Sequence, residues 1–222
     1  MNRGPFIFLG AFCILAFSWT CLVLTNQMTT GRLAPHFDAE QSAVFPAGTP
    51  GVVQQGHRVY RDLGCAACHT QQVRRPGFGS DQERGWGERQ SVARDYLGED
   101  PVMLGHMRIG PDLRNVGARH EDPDWYFRHL YDPRLVVEGS TMPSYRFLFE
   151  EREIVGQSSP DALRLPEPYT AEPGHEIVPT ARARALVAYL THLKDTYAFP
   201  ETNNVYRPAE AAEGDAATEG GH

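Results

Sequence analysis

The chain has 222 residues, of which 41% are hydrophobic, 22% charged and 10% aromatic, a composition typical of globular proteins and unlike that of fibrous, collagen-like or wholly disordered chains. Its 21 Lys and Arg residues and 28 Asp and Glu residues give a formal net charge of -7. Sequence-independent binding to nucleic-acid phosphates needs clustered positive charge, so this balance argues against it. The 4 cysteines are too few for a disulfide-dense scaffold.

An apolar segment near the N-terminus predicts a membrane anchor. Residues 6–25 carry no charged side chain, and a helix of that length spans about 30 Å of hydrocarbon. A cleaved signal peptide is the alternative, but its apolar region is only about 7–15 residues long and ends at a small-residue cleavage site. No such site follows Leu24. We therefore expect residues 1–30 to form a retained anchor helix, in which Cys13 and Cys21 serve packing or lipid contact.

The charges on either side of the apolar segment predict its orientation. Arg3 and the amino terminus precede it, whereas Asp38 and Glu40 follow Arg32 beyond it. Because positive charge is retained on the cytoplasmic side, we expect the N-terminus in the cytoplasm and the bulk of the chain outside it.

Composition also predicts the domain boundaries. Residues 31–50 lack helical periodicity and end in closely spaced Pro and Gly, which is typical of a linker. A globular domain is expected over 51–200. Residues 201–222 form an acidic, low-complexity tail with too few large apolar side chains to offset the entropy of ordering, so we expect this tail to be disordered.

Within the domain, apolar side chains at helical spacing predict three helices joined by long loops rich in Gly and Pro. Little of the chain alternates in the manner of a strand, so the predicted class is all-α. The expected helices are 52–63 directly before Cys65, 123–132 with Asp122 as its cap, and 181–194 with Thr180 as its cap.

The segment Cys65-Ala66-Ala67-Cys68-His69 has the pattern of a c-type haem attachment site. Two thiols three positions apart match the two vinyl groups of haem, and the next residue offers an imidazole to the iron. The sequence therefore predicts one covalently bound haem c.

Two other readings of this pair of cysteines are weaker. A redox-active pair is expected at the head of a helix that follows a strand, and no strand is predicted before Cys65. A structural zinc site needs four ligands, and the neighbours Cys68 and His69 point about 100° apart on a helix, which makes joint binding of one zinc ion awkward.

The sixth iron ligand must come from elsewhere in the chain. Met142 is the preferred candidate, because a thioether in a polar loop, followed by Pro143, suits a His/Met cytochrome. Met103, Met107 and the eight histidines other than His69 remain alternatives.

Further residues have expected roles around the haem. The segment from Gly110 to Leu113 offers a backbone carbonyl to the outer nitrogen of His69, since a metal-bound imidazole nearly always donates its second N–H to an acceptor. The anionic propionates suit arginine, and the candidates are Arg119, Arg128 and Arg134.

Three segments in this order and spacing resemble the mono-haem cytochrome c subunit (subunit II) of cbb3-type cytochrome c oxidases. They are CAACHTQQVRRP, GPDLRNVGARHEDPDWYFRHLYDPR and STMPSY. The resemblance extends from about Val59 to Tyr145, with a looser similarity in ARALVAYLTHLK. It includes the roughly forty residues between His69 and Gly110, which are too many for a small soluble cytochrome.

The resemblance implies a class I-like cytochrome c domain with loop insertions, anchored in a bacterial inner membrane with its haem on the periplasmic face. The implied partners are a catalytic haem b/copper subunit and a donor, which is another cytochrome c subunit or a soluble cytochrome c. The implied site comprises thioether anchors Cys65 and Cys68, axial ligands His69 and Met142, the Pro111 carbonyl as the partner of His69, and Arg119 beside a propionate. The inserted loop is implied to face the catalytic subunit, including Gln71, Arg74, Glu83, Arg84, Ser91 and Val92.

The function predicted from this resemblance is electron transfer, within a complex whose other subunits reduce oxygen. One alternative is the anchored mono-haem subunit of a nitric oxide reductase, although the long insertion and the distance from Gly110 to Met142 favour the oxidase. Another is a free-standing haem shuttle or gas sensor, which would have an open or easily displaced sixth position. The least favoured alternative is a structural protein in which the spacing of Cys65 and Cys68 is incidental.

Overall fold

A computed structural model describes residues 3–203, so most of the predicted acidic tail, residues 204–222, lies outside the described part of the chain. The described residues form two compact units. One unit comprises residues 3–47 together with Val92–Leu97, and the other comprises Gly48–Ser91 together with residues 98–203.

The first unit contains one long helix and a small hairpin. Helix α1 runs through Gly4–Ser18, continues as a π-helical stretch at Trp19–Leu24 and ends with Thr25–Thr29. Taken together, its 26 residues are long and apolar enough to cross a membrane, which fits the predicted anchor. Residues 31–50, expected to be a linker, contain the antiparallel pair β1 (His36–Asp38) and β2 (Ala43–Phe45).

The second unit contains four helices, one two-stranded sheet and several single turns of 3₁₀ helix. Its elements are α2 (Gly51–Asp62), α3 (Val116–Arg119), α4 (Pro123–Tyr131), β3 (Phe149–Glu153), β4 (His175–Pro179) and α5 (Ala181–His192). The three helices predicted from periodicity are confirmed as α2, α4 and α5. Their expected caps also form: the Asp122 side chain accepts from the Asp124 amide, and the Thr180 hydroxyl accepts from the Ala183 amide.

The prediction of an all-α fold is correct only in part, because the second unit also has a β-hairpin. Strands β3 and β4 pair antiparallel with Phe149 opposite Pro179 and Glu153 opposite His175. Neither strand shows the alternation that predicts strands from sequence: β3 has one buried residue followed by four exposed ones, and β4 has four consecutive buried residues.

The core of the second unit is formed mainly by α2 packing against α5. The rings of Tyr60 and Tyr189 lie 5.5 Å apart, and His57 meets Tyr189 edge to face at 5.4 Å. Helix α4 adds Tyr126 and Leu130 to the same cluster of buried side chains. This three-helix core supports the two segments that carry the candidate site, the turn after α2 and the loop after α4.

Candidate functional site

The two cysteines of the predicted haem motif lie on a helical turn directly after α2. Gly64 connects the helix to a 3₁₀ turn at Cys65–Ala67, and the His69 amide donates to the Cys65 carbonyl oxygen at 3.0 Å. Both thiols are free and half-buried. Burial and the nearby Cys68 raise the pKa of the Cys65 thiol to about 11, against a backbone hydrogen bond that lowers it. A redox-active cysteine has a lowered pKa instead, so the redox interpretation has no support at Cys65.

The imidazole of His69 is held in one orientation by the backbone of the predicted carbonyl segment. Its Nδ1 lies 2.8 Å from the carbonyl oxygen of Pro111. Because a carbonyl oxygen only accepts, Nδ1 carries the proton, and in the neutral ring Nε2 carries a lone pair. Burial lowers the pKa of His69, which the hydrogen bond to Pro111 and the charge of Asp112 partly offset. The ring is therefore suited to bind a metal through Nε2.

The chain before Pro111 runs alongside the cysteine turn. The His106 amide donates to the Ala66 carbonyl oxygen at 2.9 Å, and the Gly110 amide donates to the Cys68 carbonyl oxygen at 3.0 Å. Gly110 also lies directly against the His69 ring, where it leaves no room for a side chain. This segment therefore lies on the His69 side of the cysteines.

The loop that carries Met142 is fixed at both ends by one buried carboxylate. Asp132, at the end of α4, pairs with Arg134 at 3.0 Å and with Arg146 at 2.8 Å. The Tyr145 amide donates to the Leu130 carbonyl oxygen at 2.8 Å. These contacts hold the loop against the C-terminal end of α4.

The structure brings the Met142 loop close to the cysteine turn. Met142 is partly buried against the same core cluster that Cys65 contacts. Burial raises the pKa of Tyr145, and the charges of Cys65 and Cys68 raise it further, which places this tyrosine near both thiols. Met142 and Cys65 therefore pack against the same core cluster of the second unit.

The other two methionine candidates are placed less favourably. Met103 is 5% exposed and belongs to the core cluster. The carbonyl oxygen of the next residue, Leu104, accepts from the amide of Gln71, which follows the haem motif in the chain. Met107 is 54% exposed and lies in the segment on the His69 side. A sixth ligand must approach from the side opposite His69, and of these three methionines Met142 alone lies on a separate loop.

The three arginine candidates differ in their partners. Arg119 is half-buried, donates to the Asp112 carbonyl oxygen, and has no ion pair with a carboxylate among the described residues. Burial lowers its pKa, against the nearby charge of Asp112. Arg134 is paired with Asp132, and Arg128 is bonded to the Asp124 carbonyl oxygen at 3.4 Å. Arg119 is therefore the best placed of the three to meet an added anion.

The inserted loop is not uniformly a contact surface. Gln71 is 0% exposed, and its side-chain oxygen accepts from the Tyr189 hydroxyl at 2.9 Å, so the expectation that it faces a partner is wrong. The Ser91 hydroxyl accepts from the Val73 amide at 2.9 Å. Arg74, Glu83 and Arg84 are exposed.

A buried polar network, missed by sequence reasoning, fixes the loop near His69. Arg108 donates to Asp81 and, at 2.8 Å, to the Thr70 hydroxyl. Thr70 in turn donates to Asp112 at 2.5 Å, directly after Pro111. The partners lie far apart in the sequence, so no local pattern predicts them.

Residues 3–203 include no group of three or more His, Cys, Asp or Glu side chains placed to hold a metal ion. The zinc interpretation of the cysteine pair therefore finds no third and fourth ligand in the described chain. A porphyrin supplies four nitrogen ligands itself, so it requires from the protein only the axial positions.

Two free thiols three positions apart, followed by an imidazole that a backbone carbonyl oxygen orients, are typical of haem-binding proteins of the cytochrome c class. The family model described as cytochrome c oxidase, mono-heme subunit/FixO matches residues 40–173, and the chain belongs to this family. The matched range contains the two cysteines, His69, Pro111, Arg119 and Met142. A search of curated proteins gave no match. As a member of a mono-haem family the chain has one haem, and as an oxidase subunit it works in a complex with other oxidase subunits.

Proposed function

We propose that this chain is the membrane-anchored mono-haem c subunit of a cbb3-type oxidase, and that it relays single electrons from a donor cytochrome c to a haem b/copper subunit. The observation that carries the proposal is the 2.8 Å hydrogen bond between His69 Nδ1 and the Pro111 carbonyl oxygen. It fixes the tautomer and ring orientation that an axial ligand needs, directly after two cysteines at haem-attachment spacing.

The residues present fit a covalently bound haem. Cys65 and Cys68 would form the thioether bonds, and His69 would bind the iron through Nε2. A haem bound there supplies one-electron redox chemistry. The residues themselves only attach it, orient it and set its surroundings.

Met142 is the proposed sixth ligand. Its loop is bonded to the end of α4, whereas the Pro111 segment is bonded to the cysteine turn and to His69, so Met142 and His69 would hold the iron from two separate segments of the chain. Methionine ligation raises the reduction potential relative to two histidines, which favours transfer onward to an oxygen-reducing partner.

Arg119 is proposed to neutralise a haem propionate. A half-buried guanidinium without a carboxylate partner is unfavourable, and a planar cation of this kind binds carboxylates well. Its hydrogen bond to the Asp112 carbonyl oxygen links it to the residue after Pro111, whose carbonyl oxygen bonds to His69, and this contact supports the proposal.

Helix α1 is proposed to anchor the chain in a bacterial inner membrane, with its N-terminus in the cytoplasm. Arg3 before the helix and the acidic residues after Arg32 support this orientation. The haem domain, proposed over 51–200, then lies on the periplasmic face.

The test is purification of the full-length tagged chain from membranes in mild detergent, followed by a pyridine haemochrome spectrum and oxygen uptake on the same sample. We expect haem c together with haem b and rapid, cyanide-sensitive oxygen consumption. The matched control is the chain with Cys65→Ser and Cys68→Ser. Haem c with no haem b and no oxygen uptake would replace the oxidase with a shuttle or sensor, and nitric oxide consumption instead would indicate the reductase.

A further inference from the structure

One histidine near the site has a ring nitrogen with no partner. The Nδ1 of His129, on α4, is buried and has no hydrogen-bond partner among the described residues. Buried polar atoms without a partner are uncommon, and each one calls for an explanation such as a missing ligand or ion.

Stacking fixes the orientation of this ring. His129 lies parallel to Trp125, with 4.8 Å between ring centroids and 8° between planes. His120 also stacks on Trp125, with 3.8 Å between ring centroids and 4° between planes. Because ring nitrogens point outward in the plane of an imidazole, those of His129 point past the Trp125 ring rather than at it.

His129 is near enough to the proposed iron ligand, His69, for the charge of that ring to act on its pKa. Burial lowers the pKa of His129 to about 4, and the charge of His69 lowers it more than the charge of His120 does. The ring of His129 is therefore neutral near pH 7 and has a free lone pair.

His129 also lies next to the loop of the proposed sixth ligand. The residue that follows it, Leu130, accepts the amide of Tyr145 at 2.8 Å, and Tyr145 comes three residues after Met142. The backbone next to His129 is therefore bonded to the segment that follows Met142.

We propose that His129 is a reserve axial ligand, which binds the haem iron when Met142 leaves it. This inference rests on the haem site of the proposed function. In the exchange the bond between iron and the Met142 sulfur breaks and a bond between iron and an imidazole nitrogen of His129 forms. The neutral ring donates its lone pair, so no proton or electron is transferred. Two imidazole ligands give a lower potential than His and Met, so the exchange switches the subunit to a weaker electron acceptor.

The experiment compares three full-length, haem-loaded chains in detergent: Met142→Ala, Met142→Ala with His129→Phe, and Met142→Ala with His120→Phe. His120 is the matched control because it is a histidine that stacks on the same tryptophan. Ferric spin state and ferrous carbon monoxide affinity are measured. We expect Met142→Ala and the His120 variant to stay low-spin, and the His129 variant to become high-spin and bind carbon monoxide at least about tenfold more tightly.

A high-spin Met142→Ala chain that binds carbon monoxide as tightly as the His129 double variant would overturn the reserve ligand. So would equal effects of the His120 and His129 substitutions. If Met142→Ala does not accumulate, mild methionine oxidation of the wild type and of His129→Phe gives the same comparison, since a sulfoxide is a changed ligand. Failure of the proposed function differs from both results, because the wild type itself would then lack covalent haem or a thioether-to-iron absorption band.

Discussion

Gly110 and His69 are in direct contact, and a Cβ atom at position 110 would come within 2.2 Å of His69 Cε1 and 2.7 Å of its Nδ1. The contact is on the face of the ring, next to the hydrogen bond with Pro111. A side chain at position 110 therefore cannot be accommodated without moving the imidazole of the proposed proximal ligand.

Gly110→Ala should tilt or displace His69 and weaken its bond to iron. Overpacking of this kind costs about 1–3 kcal/mol, so we expect a partly high-spin ferric spectrum and a lower midpoint for unfolding of the haem domain. Gly51→Ala is the control, since a Cβ there meets nothing within 4 Å. A Gly110→Ala chain with the spectrum and stability of the wild type would show that His69 does not bind the iron in this orientation.

Substitution of Cys68 tests whether this thiol attaches haem covalently. Cys68→Ser should leave haem attached through one bond or not at all, because each thiol takes one vinyl group. Haem staining after denaturing electrophoresis and the intact mass of the chain report the bond. Cys13→Ser and Cys21→Ser, both exposed on α1, carry the same chemical change away from the site and should retain full staining. Undiminished covalent haem in Cys68→Ser would rule out the attachment motif.

What the sequence could predict of this fold is mainly local. The ranges of α2 and α4, the Asp122 cap and the order of the cysteines and His69 all depend on residues within a few positions of each other. The same holds for the length of α1. These features follow from propensity, periodicity and spacing, which act over one or two helical turns.

The features that sequence reasoning missed depend on contacts between distant segments. The hairpin of β3 and β4 has no alternating pattern, and its pairing is visible only in the folded chain. The burial of Gln71 follows from Tyr189, which is 118 positions away. The unpaired nitrogen of His129 is likewise a property of packing. The residues next to His129 in the sequence do not single it out from the other histidines.

Arg119 is expected to set part of the haem potential. Arg119→Gln removes a positive charge close to the proposed propionates, and a nearby positive charge stabilises the reduced haem, so the potential should fall by roughly tens of millivolts. Arg119→Lys should recover part of the difference because it keeps the charge. Redox titration followed at the haem absorbance gives the values.

The control for this measurement is Arg182→Gln, an exposed position on α5, which should leave the potential unchanged. If Arg119→Gln and Arg182→Gln have the same potential as the wild type, Arg119 does not contact the haem. Its role would then be limited to the hydrogen bond with the Asp112 carbonyl oxygen.

Asp132 should make the Met142 loop sensitive to acid. Burial alone would raise the pKa of Asp132, but hydrogen bonds from Arg146 and Arg134 hold it below its ordinary value. A lowered pKa in the folded state means that this carboxylate stabilises the loop above its ordinary pKa, and that the contribution disappears as the pH falls through the lowered value. Asp132→Asn lacks the contribution at every pH. At pH 7 we therefore expect the variant to lose the thioether-to-iron absorption band at a lower denaturant concentration than the wild type.

The difference between Asp132→Asn and the wild type should shrink as the pH is lowered below about 3.9, the ordinary pKa of an aspartate. Asp62→Asn, an exposed carboxylate paired with the neighbouring Arg61, serves as the control and should follow the wild type throughout. A difference that stays constant down to the lowest pH would mean that the ion pairs of Asp132 do not hold the loop, and that the amide of Tyr145 with the Leu130 carbonyl oxygen is sufficient to do so.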